Sequence, residues 1–249
     1  MENSLLVSLS QQLATYRAMD VIANNIANVS TPGFKRDAAK FEEYVAMMRP
    51  AEGQKGMQPV SFVKDAGVIR DTGQGNIEQT GATYDLAISG KGYFVVQTPA
   101  GPRYTRDGHF SLDGNGNLVT SQGYQVQGDG GTVTIAPTDG DINIAPDGMI
   151  SSVVNGVGNQ LGKIKVVDFA DDTLLTRQGS SLYSTGQTPN TPTVVNLRQG
   201  ALESSNVQPV IEISKMMEVM RAYETTANLS KSQEDMLRQA IDRLGQVPN

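Results

Sequence analysis

The sequence contains no cysteine, no tryptophan and a single histidine among its 249 residues. Without cysteine the chain forms neither disulfides nor thiolate metal sites. A Ser-His-Asp triad would have to use His109, which lies between Gly108 and Phe110 in a predicted turn. A lone histidine beside a turn is far more often a surface or packing residue than a catalytic base. We therefore predict no enzyme, no catalytic or metal-binding residues and no cofactor.

The sequence also lacks long apolar runs and any excess of positive charge. No stretch approaches the roughly 20 apolar residues that a membrane helix needs, and residues 1–30 lack the basic start and apolar centre of a cleaved secretory signal. The formal net charge of −6 argues against binding to duplex nucleic acid. We expect no nucleic-acid partner, no small-molecule substrate, and a chain that is either cytoplasmic or exported without such a signal.

Glycine and proline are absent from residues 1–31 and 210–244, and most glycines fall within residues 53–200. This distribution predicts a helix at each end and a β-rich middle. We divide the chain into an N-terminal helix with its following motif (1–35), a linker or extended segment (36–75), a β-rich body (76–205) and a C-terminal coiled-coil helix (206–249). The fold class is therefore a mainly β central domain of irregular hairpins, flanked by N- and C-terminal α-helices.

Both predicted helices carry apolar residues at alternating spacings of three and four. In the first helix this seam is Leu5, Leu9, Gln12, Tyr16, Met19, Ala23 and Ile26, with Gln12 the one polar exception, and Thr31-Pro32-Gly33 ends it. In the last helix it is Ile213, Met216, Met220, Tyr223, Ala227, Ser230, Glu234, Leu237, Ile241 and Leu244, and it is weakened at the polar positions Ser230 and Glu234. Such seams favour a coiled coil or bundle. The alternative is an ordinary amphipathic helix that lies on the chain's own β body.

The middle of the chain contains short β-prone runs separated by turn residues such as Asp107-Gly108 and Asp147-Gly148. The predicted strands are 86–88, 93–97, 110–112, 117–119 and 163–167. The segment that begins at Asp113 opens like a calcium-binding loop. However, Leu118 stands where that loop needs glycine and Tyr124 where it needs glutamate. We interpret it as a turn.

The segment from Ala23 to Lys35, ANNIANVSTPGFK, is rich in asparagine although asparagine is a poor helix former. This segment resembles the N-terminal signature of the bacterial flagellar rod and hook family. The runs DLAISGKGYFVV (85–96), YTRDGHF (104–110), QGALESSNV (199–207) and MRAYE (220–224) are similar to further motifs of that family. Within it, the length and the opening residues resemble those of a proximal-rod member.

The resemblance implies a structural subunit of the flagellar basal-body rod that assembles axially through a helical core and transmits torque across the periplasm. It implies as partners copies of the chain, neighbouring proximal- and distal-rod proteins, and the flagellar type III export apparatus. Two alternatives remain: a distal-rod or hook subunit of the same family, or an extracellular β-domain adhesin. The residues that we expect at the assembly interface are Leu5, Leu9, Tyr16, Met19, Asn24, Asn25, Ile26, Asn28, Pro32, Gly33, Phe34, Ile213, Met216, Met220, Tyr223, Ala227, Leu237, Ile241 and Leu244.

Overall fold

A computed structural model describes residues 2–48, 57–136, 139–154 and 157–245. The chain divides into two compact units. The first, here called the helical unit, comprises residues 1–27, 37–71 and 208–249. The second, the β unit, comprises residues 28–36 and 72–207. The signature segment therefore contributes residues to both units.

The helical unit contains two helices and one hairpin: α1 (Glu2–Ala27), β1 (Asp37–Met48), β2 (Gln58–Arg70) and α2 (Pro209–Gly245). Both helices follow the absence of glycine and proline. Helix α1 ends at Ala27, before the predicted Pro-Gly stop, because Asn28 begins a turn in which its carbonyl accepts the N–H of Thr31 at 3.2 Å. None of the described helices is long and apolar enough to cross a membrane.

Residues 36–75, which we expected to form a linker or extended segment, contain the long antiparallel hairpin β1–β2. Its register places Tyr44 opposite Phe62 and Val45 opposite Ser61. Neighbouring positions point to opposite faces of a strand. Apolar side chains therefore occur on both faces of the hairpin, and no simple alternation of apolar and polar residues marks these strands in the sequence.

The β unit is built from short strands. They are β3 (Ile77–Gln79), β4 (Leu86–Ile88), β5 (Tyr93–Thr98), β6 (Gly101–Thr105), β7 (Phe110–Leu112), β8 (Leu118–Thr120), β9 (Gln125–Gly128), β10 (Gly131–Thr132), β11 (Asp141–Ile144), β12 (Met149–Val154), β13 (Val157–Lys163), β14 (Val166–Val167), β15 (Thr176–Arg177), β16 (Leu182–Ser184), β17 (Leu197–Gln199) and β18 (Ala201–Glu203). A 3₁₀ turn spans Asp172–Leu174.

The largest sheet has nine strands in the order β15-β16-β6-β5-β9-β8-β7, with β10 beside β9 and β14 beside β5. A three-stranded sheet β11-β12-β13 and the pairs β17–β4 and β18–β3 complete the unit. Its main core includes Leu86, Phe94 and Ile150, all nearly inaccessible to solvent. Phe94 meets Phe110 edge to face, with ring centroids 5.1 Å apart. Antiparallel pairing throughout agrees with the hairpin pattern of the sequence.

The predicted strand 163–167 is divided between two strands, because the chain changes partners within it. Strand β13 ends at Lys163, and the N–H of Ile164 then bonds to the Gly148 carbonyl at 2.8 Å. The N–H of Lys165 bonds to the Gln127 carbonyl at 3.0 Å, and β14 pairs with β5. The apolar run thus passes from the three-stranded sheet to the nine-stranded sheet.

Candidate functional site

Helix α2 packs along α1 within the helical unit, and this packing divides the predicted C-terminal seam between two faces. The seam residues Met216, Ala227 and Leu237 are partly buried, whereas Ile213, Met220, Tyr223 and Ile241 are exposed. Val210, Ile213, Met217 and Met220 form a continuous exposed row, here called the α2 stripe. The side chain of Leu244 lies outside the described residues. Only part of the predicted seam is therefore available to another molecule.

Helix α1 carries a corresponding exposed row, here called the α1 stripe, made of Leu6, Leu9, Leu13 and Tyr16. Leu13 is 63% exposed, and Tyr16 is 57% exposed. Leu9 and Tyr16 were predicted as interface residues, but Leu6 and Leu13 were not. Met19 and Ile26 are partly buried, and the side chain of Leu5 lies outside the described residues. An exposed row of four large apolar side chains is unusual for a surface helix that meets only water.

Asn25 joins three elements inside the helical unit. Its Nδ2 donates to the Asp37 carbonyl at 2.7 Å and to Glu212 Oε2 at 3.0 Å, and its Oδ1 accepts the Asp37 N–H at 2.9 Å. The side chain is fully buried. Asparagine suits the position because its amide both donates and accepts. In the single chain Asn25 therefore holds α1 to β1 and α2. Asn24 is exposed and Asn28 partly buried.

Gly33 and Phe34 are buried in the β unit. The Gly33 N–H donates to the Glu203 carbonyl at 2.7 Å. Gly33 has φ +67°, and a Cβ here would overlap the backbone carbonyl of Arg106, so this position requires glycine. The guanidinium of Arg177 lies 4.1 Å from the centroid of the Phe34 ring. Both residues were predicted at the interface, and in the single chain they dock the signature segment on the β unit. Pro32, just before them, is partly buried.

Three buried charged side chains, Lys35, Arg106 and Glu203, form what we call the buried charge cluster. Lys35 Nζ donates to Glu203 Oε1 at 2.5 Å and to the Gly73 carbonyl at 2.8 Å. Arg106 Nε lies 3.5 Å from Glu203 Oε2, and the Gly75 N–H donates to Oε1 at 3.0 Å. The side chains of Lys35, Arg106 and Glu203 are 2%, 5% and 1% exposed. The cluster fixes the signature segment to β18 and to the turn after β6.

His109 lies beside two carboxyl groups but lacks the geometry of a catalytic triad. Its Nδ1 is 2.8 Å from Asp85 Oδ1. The hydroxyl of Thr80 donates to the other oxygen of Asp85 at 2.6 Å, not to the histidine, so it is not activated as a nucleophile. Asp107 accepts the His109 N–H at 3.0 Å, and burial raises the pKa of the Asp107 carboxyl. This arrangement braces a turn.

The segment at Asp113 is a turn, as predicted. Asp113 Oδ1 accepts the N–H groups of Asn115 and Asn117, each at 2.8 Å, and Oδ2 accepts Nδ2 of Asn117 at 2.9 Å. These bonds hold the pKa of Asp113 below its usual range, with the Asn117 side chain the largest cause. The carboxylate thus serves the turn itself. Within the described ranges no cluster of three histidine or carboxylate residues is placed to hold a metal ion.

Three family models match the chain. The model described as "Flagella basal body rod protein" matches residues 5–35, which include most of α1 and the signature segment. "Flagellar hook protein FlgE/F/G D1 domain" matches residues 87–152, in the β unit. "Flagellar basal body rod FlgEFG protein C-terminal" matches residues 198–243, which contain most of α2. The matches therefore fall on both helices and on the strands between them.

Whole-chain relatives agree with these models. The chain is 42% identical to the flagellar basal-body rod protein FlgF of Caulobacter vibrioides, over 99% of this chain and 100% of the relative. It is 36% identical to FlgF of Mesorhizobium japonicum, over 98% and 99%. It is 34% identical to the flagellar basal-body rod protein FlgG of Bacillus subtilis, over 90% and 92%.

Proposed function

Because the chain belongs to the flagellar basal-body rod protein family, we propose that it enters the rod through its two terminal helices and transmits torque there. It is a structural subunit of the flagellar basal-body rod. The two FlgF relatives match nearly the full length of both chains, at 42% and 36% identity. The FlgG relative of Bacillus subtilis matches 90% of this chain at 34%. These values favour a FlgF-type, proximal-rod subunit over a distal-rod or hook subunit.

The observation that carries the proposal is the pair of exposed stripes on α1 and α2. Each helix already packs on its own chain along one face and still presents large apolar side chains on another. Burying these stripes against neighbouring subunits removes apolar area from water and forms a coiled-coil core of terminal helices. Contacts between different surfaces of successive copies build an open helical stack instead of a closed ring.

The partners that follow are copies of this chain and other rod components, including the proximal- and distal-rod proteins. Its place is the rod in the periplasm of the flagellar basal body. Export through the flagellar type III apparatus, without a cleaved signal peptide, supplies the route. The arrangement needs no cofactor and no catalysis.

The test is Met220→Asp on the α2 stripe. Met220 is 47% exposed in the single chain, so the free monomer should keep its melting temperature. In an assembled core the same charge would be buried without a partner, at a cost of several kcal/mol. Cells should therefore make and export the variant. It should be absent from the rods isolated from these cells, and the cells should be non-motile.

The matched control is Val21→Asp, because Val21 is 7% exposed and is buried within the chain's own helical unit. This variant should melt at a clearly lower temperature as a monomer. Leu237→Asp is a less clean test since Leu237 is partly buried by its own chain. If Met220→Asp destabilises the monomer, or enters rods normally, the stripe is not the assembly surface.

A further inference from the structure

An apolar groove of about 420 Å³ opens between α1, the hairpin and α2 in the helical unit. Small side chains line both helical walls: Ala14 and Ala18 on α1, and Ala222 on α2. Phe41 and Val63 of the hairpin form a third wall, and each is more than a third exposed. The groove is also lined by Gln11, Thr15, Lys215 and Glu218, so its lining is mainly but not wholly apolar. The groove is open to solvent, and its helical walls leave room for larger side chains.

We propose that this groove receives the α1 stripe of a second copy of this chain. The inference rests on the proposed function and names the contact through which copies join. Leucine and tyrosine side chains on the stripe would enter the space that alanines leave along the groove. Large residues that pack into positions held open by small ones are the usual basis of close helix packing.

The two surfaces match in length. From Leu6 to Tyr16 the α1 stripe rises roughly 15 Å at about 1.5 Å per residue. The α1 wall of the groove runs from Gln11 to Ile22, which corresponds to roughly 16 Å on the same geometry. A helix that lies along the groove can therefore place its whole stripe against it.

Charge favours the α1 stripe over the α2 stripe as the occupant. Residues 3–16 include no charged side chain. The α2 stripe alternates in sequence with Glu212, Lys215 and Glu218, and two of these, Lys215 and Glu218, already line the groove of their own chain. Interface cores are depleted of charged residues, because an ion without a partner is costly to remove from water. An uncharged apolar helix face is the better fit to an apolar groove.

The stripe and the groove lie on opposite faces of α1. At about 100° per residue, the direction of Leu6, Leu9, Leu13 and Tyr16 is roughly half a turn from that of Gln11, Ala14, Ala18 and Ile22. Each copy therefore offers a stripe on one side and a groove on the other. Such a contact is heterologous and repeats without closing, as a growing rod requires.

Because the sequence contains no cysteine, introduced pairs give a direct test. Leu9→Cys and Leu13→Cys are each combined in one chain with Ala18→Cys or Ala222→Cys, and motility under reducing conditions selects the pairs that assemble. A disulfide needs Cα atoms about 4.4–6.8 Å apart, so it reports the register of the contact. After mild oxidation of isolated rods, at least one pair should give disulfide-linked dimers and higher oligomers of this chain.

The single-cysteine variants are the controls and should remain monomeric on a non-reducing gel. Rods that contain the double variants without any crosslink would overturn the groove contact and leave the proposed function standing. Crosslinks from Leu9→Cys alone would mean that stripe packs on stripe, which also overturns it. If Met217→Cys crosslinks to Ala18→Cys and the α1 pairs do not, the α2 stripe occupies the groove, and the proposal for the α1 stripe is overturned. Absence of the wild-type chain from rods would instead refute the proposed function.

Discussion

Replacing Lys35 with methionine tests whether the buried charge cluster holds the signature segment on the β unit. Methionine keeps most of the apolar stem but removes the ammonium group that lies 2.5 Å from Glu203 Oε1. The Glu203 carboxylate, 1% exposed, then retains the Gly75 N–H and the more distant Arg106 guanidinium. Its buried charge is only partly balanced, so the folded β unit should lose stability.

The expected loss follows from the burial of the pair. Breaking a buried ion pair costs about 3–5 kcal/mol of folding free energy. Because Glu203 keeps two of its partners, we expect Lys35→Met to cost an amount near the lower end of this range, about 3 kcal/mol. In a unit of this size about 1 kcal/mol shifts the melting temperature by roughly 2–4 °C, so the transition of the β unit should fall by roughly 6–12 °C. An exposed ion pair would give a far smaller effect.

Differential scanning calorimetry of the purified chain measures the shift, since two compact units can melt in separate transitions. The control is Lys40→Met, which removes an ammonium 3.0 Å from Glu42 where both side chains are about half exposed. That variant should melt like the wild type. In a double-mutant cycle, Lys35→Met and Glu203→Gln should be clearly non-additive. A loss below about 1 kcal/mol for Lys35→Met, or simple additivity, would refute the cluster as an anchor.

Two further predictions concern the same part of the β unit. Gly33→Ala should lower the melting temperature of the β unit more than Gly81→Ala does. Both glycines have positive φ, but only at Gly33 would a Cβ overlap backbone atoms, those of Arg106. Equal shifts in melting temperature would contradict this clash. Asp107→Asn should raise the melting temperature at neutral pH, because burial raises the pKa of this carboxyl and the amide oxygen can still accept the His109 N–H. Because the Asp107 pKa is higher in the folded chain, the stability of the wild type falls as pH rises from the ordinary value of 3.8 through the folded pKa. The stability gain of Asp107→Asn should therefore vanish in melts below pH 3.8. A lower melting temperature of the variant at neutral pH would show that the charge of Asp107 is needed.

The existence of both helices could be predicted from the sequence, but the division of their faces could not. The absence of glycine and proline marks α1 and α2 without ambiguity. However, each helix has one apolar face for its own chain and a second that is exposed. In α1 the buried face includes Ala14 and Val21, and the exposed face includes Leu6 and Leu13. A search for one seam merges the two sets, so it selected Leu9 and Tyr16 and missed their neighbours.

Whether a strand could be predicted from the sequence also depended on its pattern of apolar residues. Leu86–Ile88 and Phe110–Leu112 have the bounds that the sequence predicts, because turn residues flank short β-prone runs. The hairpin Asp37–Arg70 was expected only as linker or extended chain. It has apolar residues on both faces and charged residues near its base, so neither periodicity nor composition identifies it.

The buried charge cluster had no signal in the sequence at all. Lysine and glutamate are mostly surface residues, and nothing in the neighbourhood of Lys35 or Glu203 indicates burial. The two residues are separated by 168 positions in the chain. Their pairing depends on the fold, which brings the signature segment beside β18. Sequence similarity to a family pointed to the segment, but the reason for its residues becomes visible only in the structure.

Asn25 of the signature segment and Asn206, which precedes α2, have a common physical role. The chain passes between the helical unit and the β unit at four places, near residues 27, 36, 71 and 207. In the helical unit, Asn25 ties the first of these to the second through Asp37 and to the last through Glu212. In the β unit, Asn206 accepts the Arg36 N–H at 2.7 Å and donates to the Gly73 carbonyl at 3.0 Å.

Each unit therefore binds together the segments that enter and leave it. In the role proposed above, a subunit under torque would load the segments that cross between the two units. The hydrogen bonds of Asn25 and Asn206 hold these segments together within each unit. Asn25 and Asn206 can join several segments because an amide donates and accepts at once, which a better helix former such as alanine or leucine cannot do. The low helix propensity of Asn25 near the end of α1 is then offset by the hydrogen bonds that its side chain makes across the helical unit.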